Sequence, residues 1–375
     1  MRLRIALIAP GGSIHTRRWI EFFVRRGHTV GLISYGPSYE QPEGVEVLLE
    51  LPGLGQGRAL WTRVPAFARA AVDCRRALHR FHPDVVHAHY LSGPGWLGYL
   101  AGVRPLVLGG WGSDVLVDGK KPFARRVHSR ALAHASAATS DAQSVADGLI
   151  TLGMPADKVH VILWGVDTSL FAPTGDVEPG WRANADQLVV LAIRGIRPVQ
   201  RPDQIVRAFA ALVAGGTDAV LGLLLGPGHP TMPDDLAQLI DELGISGQVR
   251  IVPPREHGDL PALFRAADIC VSVPSTDGTS VAVMEAMACG RAVIASEIPA
   301  NHALIEDGVT GRRVSVEGFT ELASVLGELA GDAALRRRLG EAARAQIVRE
   351  ADSSVTLALA EDLYLAVVAE AVSRA

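Results

Sequence analysis

Short apolar runs alternate with amphipathic stretches along most of the 375-residue chain. The runs are rich in Val, Ile and Leu and have the length of strands, as in Arg4–Ala9 and Ile269–Val273. The stretches between them, such as Arg17–Arg26 and Gln204–Ala214, have helical spacing. Because strands that alternate with helices form parallel sheets, the pattern predicts an α/β fold of doubly wound, Rossmann-like layers.

The predicted strands fall into two series, one in each half of the chain. They are Arg4–Ala9, Thr29–Ser34, Val45–Leu49, Val85–His87, Pro105–Leu108, Ala137–Thr139 and Val159–Ile162, followed by Leu188–Ile193, Val220–Leu225, Val249–Val252, Ile269–Val273 and Ala292–Ala295. The chain is too long for one ordinary core, since domains typically have about 100–200 residues. Two domains are therefore expected.

The boundary is predicted at Ala172–Gly180, a stretch rich in Pro and Gly between the two series. We predict an N-terminal domain over residues 1–172, a linker over 173–186 and a C-terminal domain over 187–353. A last helix within 354–375 is expected to pack back toward the N-terminal domain. Two such domains are expected to face each other across a cleft and to bind ligands at the carboxyl ends of their strands.

Composition excludes several classes of protein. The chain is 48% hydrophobic and 20% charged, and no apolar run approaches the length that a membrane-spanning helix needs, about 20 residues. The apolar N-terminal run is interpreted as the first strand rather than as a secretory signal. Its cysteines (Cys74, Cys270 and Cys289) form no Cys-x-x-Cys pair, which argues against disulfides and zinc. We expect a cytoplasmic protein without a nucleic-acid partner.

Charge is distributed unevenly. Met1–Thr174 carries 19 Lys and Arg against 13 Asp and Glu, whereas the remainder carries 17 against 27. On the predicted helix Pro65–Phe81, Arg69, Arg76 and Arg80 lie opposite an apolar stripe. Further basic residues of this half are Arg17, Arg18, Arg25, Arg26, Lys120, Lys121, Arg125 and Arg126. Either this is a solvated surface, or the N-terminal domain makes peripheral contact with the inner face of the cytoplasmic membrane.

Two glycine turns follow predicted strands. Gly11 and Gly12 precede a helix, where a backbone without side chains admits a ligand and the helix start favours an anion. The second turn is Gly226-Pro227-Gly228. Neither has the spacing of a dinucleotide-binding fingerprint, and an ordinary turn is the alternative in both places.

The segment Pro274–Gly290 is the most informative. Its loop leads into a helix that is expected to begin near Thr279 or Ser280, both favourable N-cap residues. Free amides at that helix start would suit a diphosphate, whose negative charge the helix dipole also favours.

Glu285 lies in the middle of that helix among apolar residues, where a carboxylate is unfavourable unless it is paired or bound. Two ribose hydroxyls would satisfy it, and a buried Glu bonded to the backbone is the alternative. Asp277 precedes it in the loop, with seven residues intervening, and is expected to point at the same cleft.

The order of these motifs resembles the retaining glycosyltransferases of the GT-B fold, family 4. The resemblance covers nearly the whole chain, and the family's motifs are matched by Arg26-Gly27-His28-Thr29-Val30, Pro83–His89, Gly165-Val166-Asp167 with Phe171 and Pro173, the pair Asp277 and Glu285, Glu285–Gly290, and Asp307-Gly308 with Gly311. Each motif alone is weak, but their order is specific.

The resemblance implies that a hexose is moved from a nucleotide diphosphate-sugar, UDP in preference to GDP, to a hydroxyl of a glycan, lipid-linked or natural-product acceptor. The C-terminal domain would hold the donor and the N-terminal domain the acceptor. Glu285 would bind the ribose and Asp277 the transferred hexose, while the amides near Gly278, Thr279 and Ser280 would bind the phosphates and the sugar. The leaving diphosphate would be neutralised by arginines, which are Arg194 or Arg197 together with Arg201, in a register that stays open.

The sequence departs from the family pattern in three places. Arg201 stands where family members carry a Lys, which keeps the charge. Asp277 stands where Glu is commoner, so its carboxylate reaches less far. Trp111 replaces a His, while Asp114 of the same motif is present. Either His15, His87 or His89 supplies the missing imidazole, or its role is absent. His87 and His89 are expected to point to opposite sides of their strand. We expect His87 in catalysis and the acceptor near these residues: His15, His89, Trp111 and Asp114.

No Asp-x-Asp occurs in the chain, although metal-dependent glycosyltransferases of the other major fold need one. We therefore expect neither a divalent metal nor a cofactor. The alternatives are a GT-B-fold sugar-nucleotide epimerase and a catalytically impaired nucleotide-sugar-binding protein, which the Trp111 and Asp277 departures leave open. A phosphorylase is disfavoured because the predicted donor site has no lysine.

Overall fold

The computed structural model describes residues 1–36, 41–52, 60–226 and 231–373, and only the backbone of residues 60–64. The chain divides into two compact units. The first comprises Met1–Trp164 and Ser354–Ala375, and the second comprises Gly165–Ser353. Each unit contains one parallel sheet, which confirms the predicted pair of doubly wound α/β domains.

The strands and helices of the described residues are numbered in chain order. The strands are β1 Arg4–Ala9, β2 Thr29–Tyr35, β3 Val45–Leu51, β4 Val85–His89, β5 Leu106–Gly110, β6 Ala137–Ser140, β7 Val159–Val161, β8 Leu188–Ala192, β9 Ala219–Leu224, β10 Val249–Val252, β11 Ile269–Ser272, β12 Ala292–Ser296 and β13 Arg312–Val314. The helices are α1 Ile14–Arg25, α2 Leu60–Phe81, α3 Trp96–Ala101, α4 Ser113–Leu116, α5 Pro122–His134, α6 Gln143–Thr151, α7 Pro202–Ala214, α8 Asp234–Glu242, α9 Leu260–Ala266, α10 Val281–Ala288, α11 Pro299–His302, α12 Thr320–Gly331, α13 Ala333–Glu350 and α14 Ser353–Ser373.

The first sheet has the order β3-β2-β1-β4-β5-β6-β7. Its strand order reverses beside β1, which pairs with both β2 and β4, so Leu7 lies opposite Leu32 on one side and His87 on the other. The core strands β1, β4 and β5 are almost wholly buried, in agreement with their apolar sequences. Ligands of such sheets bind outside the carboxyl ends of the strands at the reversal.

The second sheet has the order β10-β9-β8-β11-β12-β13. Here the order reverses beside β8, which pairs with β9 and β11, and Val190 lies opposite Ile269. The residues after β8 and after β11 are therefore neighbours at one edge of the sheet. This edge is where the segment Pro274–Gly290 begins.

Every predicted strand is present, and β13 was missed. It is three residues long, contains Arg312 and Arg313, and within the described residues pairs with β12. Such a short strand without an apolar run cannot be recognised from the hydrophobic pattern.

The units are bounded after Trp164 and after Ser353. Residues 165–172, which the sequence analysis assigned to the N-terminal domain, belong to the second unit. Val166 donates its N–H to the carbonyl of Ala351 and accepts the N–H of Ser353. Phe171 is fully buried, and Arg344 donates to its carbonyl.

Helix α14 belongs to the first unit. Tyr364 on this helix is completely buried and accepts a hydrogen bond from Nε1 of Trp19 (2.9 Å). Glu361 bonds the His28 ring at 2.8 Å and the Arg26 guanidinium at 2.6 Å. These contacts fasten the last helix to α1 and to the start of β2. No helix in the described parts of the chain combines the length and apolar character needed to cross a membrane.

Candidate functional site

Helix α10 begins where the sequence predicted a phosphate-binding helix start. Ser280 is its N-cap residue, has an extended backbone and is buried, but its side chain makes no capping hydrogen bond. The preceding loop is tied to the segment after β8, because Ser275 donates its N–H to the carbonyl of Val199 (2.9 Å). The Ser280 side chain thus does not cap the first amides of α10. Amides that are not capped in this way can bind an anion.

Arg194 joins the two segments at this edge of the sheet. Its Nη2 lies 3.1 Å from Oδ2 of Asp277, and its Nη1 donates to Oγ of Ser280 (3.0 Å). Gly278 donates its N–H to the other oxygen of Asp277 (3.0 Å). Burial raises the pKa of the Asp277 carboxyl, while Arg194, the Gly278 amide and the charge of Arg197 oppose that rise. The site therefore contains a carboxylate and a guanidinium beside a helix start.

The other two arginines lie further along the same segment. Arg197 is exposed and precedes the helical turn Pro198–Gln200. Arg201 has a left-handed backbone with φ of 55° and immediately precedes Pro202, the first residue of α7. Among the described residues, Arg194 is thus the arginine that contacts both Asp277 and Ser280.

Glu285 lies on α10 and is 4% exposed. Its Oε1 is 2.7 Å from Nε2 of His257, a residue that was not predicted from the sequence. His257 begins the helical turn His257–Asp259 after β10, and the ring of Phe171 packs against its ring at 5.0 Å. The signal that could have found it is its position after the carboxyl end of a strand in the donor half of the chain.

The carboxyl ends of the first sheet carry a cluster of rings. His15 stacks on Trp164 with ring centroids 4.4 Å apart, and Trp111 meets Trp164 edge to face at 4.7 Å. His89 lies 4.8 Å from Trp19 and 5.7 Å from Trp111. The structure thus brings together three of the predicted acceptor residues and adds two tryptophans. Trp19 and Trp164 are themselves buried, and the sequence gives no local signal that they join these rings.

His87 and His89 point to the same side of β4, so the predicted opposite orientation was wrong. Side chains alternate along a strand, and residues two apart therefore share a face. The rings are 4.4 Å apart, and Nε2 of His89 lies 3.3 Å from Nδ1 of His87. Burial lowers the pKa of His89 to about 3, and His15 acts in the same direction.

His87 is enclosed within the first unit. Its Nδ1 lies 2.5 Å from the Tyr364 hydroxyl and its Nε2 lies 3.1 Å from the Thr139 hydroxyl. Burial, reinforced by His89, lowers the pKa of His87 well below its ordinary value. A neutral ring with both nitrogens engaged fits a structural role, and the geometry gives no support to the predicted catalytic one.

Asp114 is fully buried and bonds to backbone. Its Oδ2 accepts the N–H of Leu91 (2.6 Å) and its Oδ1 accepts the N–H of Trp111 (3.0 Å). Burial raises its pKa to about 6, although these amides oppose the rise. Asp114 therefore holds the backbone of Trp111 in place.

The glycine turn of the first unit lies between β1 and α1. Ser13 caps α1 by accepting the N–H of His15 (3.2 Å), and the carbonyl of Gly11 accepts a hydrogen bond from Gln41 (2.9 Å). Gly12 is exposed beside them. In the second turn, Pro227 and Gly228 lie outside the described residues. Among the described residues, no group of three or more His, Cys, Asp or Glu is placed to hold a metal ion.

Two family descriptions match the sequence in succession. "Glycosyltransferase Family 4" matches residues 10–170, and "Glycosyl transferases group 1" matches residues 177–346. Each match covers most of one half of the chain. The first range contains the ring cluster of His15, Trp19, His89, Trp111 and Trp164. The second contains Arg194, Asp277, Ser280 and Glu285.

Among curated proteins, the D-inositol 3-phosphate glycosyltransferase of Mycobacterium tuberculosis is 35% identical over 269 residues. The match covers 68% of this chain and 55% of that protein, so the chain spans about half the length of the curated relatives it matches.

Solved structures share the fold over nearly the whole chain. The sucrose-phosphate synthase of Thermosynechococcus elongatus is 20% identical, with a TM-score of 0.82 and coverage of 98% of this chain and 100% of that one. Anabaena HepE, solved in complex with UDP-glucose, is 20% identical, with a TM-score of 0.72 and full coverage of both chains. At these identities the likeness concerns the fold alone.

Proposed function

The chain belongs to glycosyltransferase family 4, and on that premise we propose that it is a retaining hexosyltransferase that uses a nucleotide diphosphate-sugar and no divalent metal. The observation that carries the proposal is the contact of Arg194 with both Asp277 and Ser280 at the start of α10. Retention is proposed from the family, in which the leaving diphosphate assists attack of the acceptor hydroxyl on the same face of the sugar.

The second unit supplies what departure of the diphosphate requires. Negative charge develops on the phosphate oxygen as the glycosidic bond breaks, and preorganised donors stabilise it. The amides at the start of α10 and the guanidinium of Arg194 are such donors, and a guanidinium can bind phosphate with two parallel hydrogen bonds. A bound diphosphate would draw Arg194 away from Asp277. That carboxylate would then accept hydrogen bonds from the hydroxyls of the hexose.

We assign the ribose to Glu285 and favour UDP as the nucleotide. Glu285 is 4% exposed and already contacts His257, but a carboxylate can accept several hydrogen bonds, and the 2′ and 3′ hydroxyls of a ribose provide two more donors. Anabaena HepE, which shares the fold, has been solved with UDP and with UDP-glucose. This supports UDP, while the base and the sugar of this chain stay proposals.

The first unit offers an aromatic surface to the acceptor. Trp111, Tyr90 and His15 are all partly exposed, and Trp111 lies edge to face with the other two rings at 6.0 and 5.8 Å. Aromatic faces bind the apolar face of a ring while polar edges bind its hydroxyls. A sugar ring of a glycan, a lipid-linked saccharide or a glycosylated natural product fits this surface.

The proposal is tested in two steps. A thermal-shift panel of UDP-, GDP- and dTDP-sugars identifies the donor, with the Glu285→Ala variant as the control for the ribose assignment. Release of the nucleoside diphosphate on addition of an acceptor then separates turnover from binding. Stabilisation by no nucleotide contradicts the proposal. If the protein binds a nucleotide-sugar but releases no nucleoside diphosphate with any of the acceptors tested, the catalytically impaired alternative is favoured. Formation of an epimerised donor favours the epimerase.

A further inference from the structure

A cavity of about 490 Å³ lies in the second unit, at the edge of its sheet where β11 and β12 begin. Asp268, which precedes β11, and Arg291, which precedes β12, line it together with residues of α13. The proposed donor residues follow the carboxyl ends of β8 and β11. Because the amino and carboxyl ends of parallel strands lie at opposite edges of a sheet, the cavity is separate from the donor site.

Four arginines line this cavity, although acidic residues outnumber basic ones by 27 to 17 after Thr174. They are Arg291, Arg336, Arg337 and Arg344. Arg337 is exposed, and the other three are half-buried. Since each guanidinium stays protonated at physiological pH, such a cluster of like charges is unfavourable unless negative charge lies beside it.

The carboxylates at the cavity do not neutralise this cluster. Oδ1 of Asp268 lies 2.9 Å from Nη2 of Arg182, and its Oδ2 accepts the N–H of Val189 (2.8 Å). Glu341 is exposed on α13. Within the described parts of the chain, none of the four arginines forms an ion pair. Other arginines of the second unit do so, namely Arg182, Arg194, Arg255, Arg312, Arg313 and Arg349.

Backbone carbonyls hold three of the four guanidinium groups in place. Arg344 donates to the carbonyl of the last residue of α10 (2.9 Å), and Arg336 donates to two carbonyls in the last turn of α12. Nε of Arg291 donates to the carbonyl of Cys289 (3.0 Å). A carbonyl orients a guanidinium without neutralising its charge, and a guanidinium has five N–H groups. Nη2 of Arg291 and Nη2 of Arg336 donate to no residue in the described part of the chain.

Oriented guanidinium groups that lack a carboxylate partner suit phosphate. A guanidinium binds phosphate through two parallel hydrogen bonds, and a phosphate or diphosphate carries enough negative charge to offset several arginines. The volume of the cavity lies within the range of small-molecule sites, about 300–1,000 Å³. The cavity therefore accommodates a phosphate group together with part of the molecule that bears it.

We propose that this cavity is a second anion site, which binds the phosphate groups of a phosphorylated small molecule or of a lipid headgroup. Because it lies at the opposite edge of the sheet from Asp277 and Ser280, its ligand is not the donor whose sugar is transferred. None of the four arginines belongs to the proposed donor site, so binding here is independent of the proposed function.

The probe is inorganic pyrophosphate, and isothermal titration calorimetry of the full chain measures its binding. The cavity variant combines Arg336→Gln with Arg337→Gln. Its matched control combines Arg338→Gln with Arg349→Gln, two exposed arginines of the same helix that do not line the cavity. Arg194→Ala reports on any pyrophosphate that binds at the proposed donor site.

We expect the control and Arg194→Ala to retain a pyrophosphate site that the cavity variant weakens at least about tenfold, as for the loss of hydrogen bonds to a charged group. Should the cavity variant not fold, Arg337→Glu gives the same test, because the exposed Arg337 side chain forms no hydrogen bond within the described residues.

Vesicles of phosphatidylcholine with added phosphatidic acid distinguish the two sources of phosphate. Weaker sedimentation of the cavity variant than of the wild type assigns the site to a lipid headgroup. Equal sedimentation of the two proteins, together with the loss of pyrophosphate binding, assigns it to a soluble phosphorylated molecule.

Equal weakening of pyrophosphate binding in the cavity variant and in its control indicates general charge attraction and overturns the proposal. Binding that is lost in Arg194→Ala and unchanged in the cavity variant assigns the pyrophosphate to the donor site and overturns it as well. A wild type that binds no pyrophosphate with a Kd below about 1 mM has the same consequence.

Discussion

Gly340 of α13 approaches Gly290 so closely that a β-carbon at Gly340 would lie 2.1 Å from the carbonyl oxygen of Gly290. Gly290 follows the last residues of α10 with a φ of 68°, which favours glycine, and donates its N–H to the carbonyl of Met287 (2.9 Å). The end of the proposed donor-binding helix is thus fixed by backbone packing against another helix. Its orientation depends on two positions that carry no side chain.

We predict that Gly340→Ala destabilises the second unit by at least about 2 kcal/mol, because the backbone of Gly290 cannot move aside as a flexible side chain would. The change in the free energy of unfolding is measured by chemical denaturation, from the transition in which the second unit unfolds. The control is Gly327→Ala in α12, where a β-carbon meets nothing within 4 Å. There alanine is expected to stabilise the helix by about 0.5–1 kcal/mol. Equal effects of the two substitutions would show that the close approach has no energetic weight.

Arg194 is expected to contribute more to catalysis than Arg201. Because Arg194 contacts both Asp277 and Ser280, Arg194→Ala removes a charge at the helix start and is predicted to lower kcat by about 10²–10³-fold. Arg201→Ala is predicted to lower it less, since Arg201 lies beyond the turn Pro198–Gln200. Steady-state kinetics with the donor found in the thermal-shift panel measure both. A larger loss in Arg201→Ala would transfer the leaving-group role to that residue.

Asp114 gives the first unit an unusual dependence on pH. Its pKa is raised to about 6 in the folded protein, whereas an unfolded Asp has a pKa of about 3.9. Between about pH 4 and about pH 6 the folded state therefore binds a proton that the unfolded state has released. The resulting contribution to the free energy of unfolding is fully present below about pH 4 and is lost as the pH rises through about 6. We expect a loss of up to about 3 kcal/mol from this group.

The measurement is the free energy of unfolding from pH 4 to 7 for the wild type and for Asp114→Asn. The variant is expected to be less stable throughout, because an amide cannot accept both backbone N–H groups, but the difference between the two proteins should shrink as the pH rises. Parallel pH profiles would contradict the raised pKa.

The hydrophobic pattern predicts most of the fold, because strands buried in a parallel sheet appear as short apolar runs. It does not reveal β13, in which two of three residues are arginines. The predicted end of the first domain, residue 172, differs from the observed boundary after Trp164 for another reason. Pro and Gly at 173–180 mark an irregular segment, whereas the unit to which residues 165–172 belong is decided by tertiary contacts such as that of Phe171 with Phe264.

The candidate site was predictable where one local motif contains the residues. Asp277, Ser280 and Glu285 belong to one loop and helix, and the structure keeps them there. The pairing of Glu285 with His257 could not be predicted, since the residues are 28 positions apart and meet only when α10 packs beside the segment after β10. The same limit applies to Trp164, which reaches His15 only in the folded unit.

We propose that any contact of the first unit with an anionic membrane is made by the segment Leu116–Arg126. Val117 and Phe123 are 57% and 67% exposed, and Lys120, Lys121, Arg125 and Arg126 lie within the same segment. Each base near such a membrane contributes about 1 kcal/mol, so replacing Lys120 and Lys121 with Ser should weaken binding about 30-fold.

Sedimentation with vesicles of phosphatidylglycerol and phosphatidylcholine, at low and high salt, measures this binding. The matched control replaces Arg69 and Arg80 of α2 with Ser, two exposed bases outside the segment. A larger effect of the control would locate the contact on α2. No binding to anionic vesicles by the wild type would contradict a membrane contact altogether.

Trp111 is predicted to determine how the acceptor is bound. Its ring lies edge to face with Trp164 at 4.7 Å and with His15 at 5.8 Å, so Trp111→Ala removes the centre of the aromatic surface. We expect the acceptor KM to rise about tenfold, as for loss of an aromatic contact, while donor binding by titration is unchanged because the proposed donor residues belong to the second unit.

Trp111→Phe keeps a ring and should recover most of the acceptor affinity, whereas equal defects in both variants would indicate disruption of the unit. Trp111→His restores the residue that is commoner in the family. A wild type that binds nucleotide-sugar without turnover, together with a His variant that releases nucleoside diphosphate, would show that this chain is a binding protein whose catalysis was lost at Trp111. Turnover by the wild type would instead show that an aromatic ring suffices where the imidazole is absent.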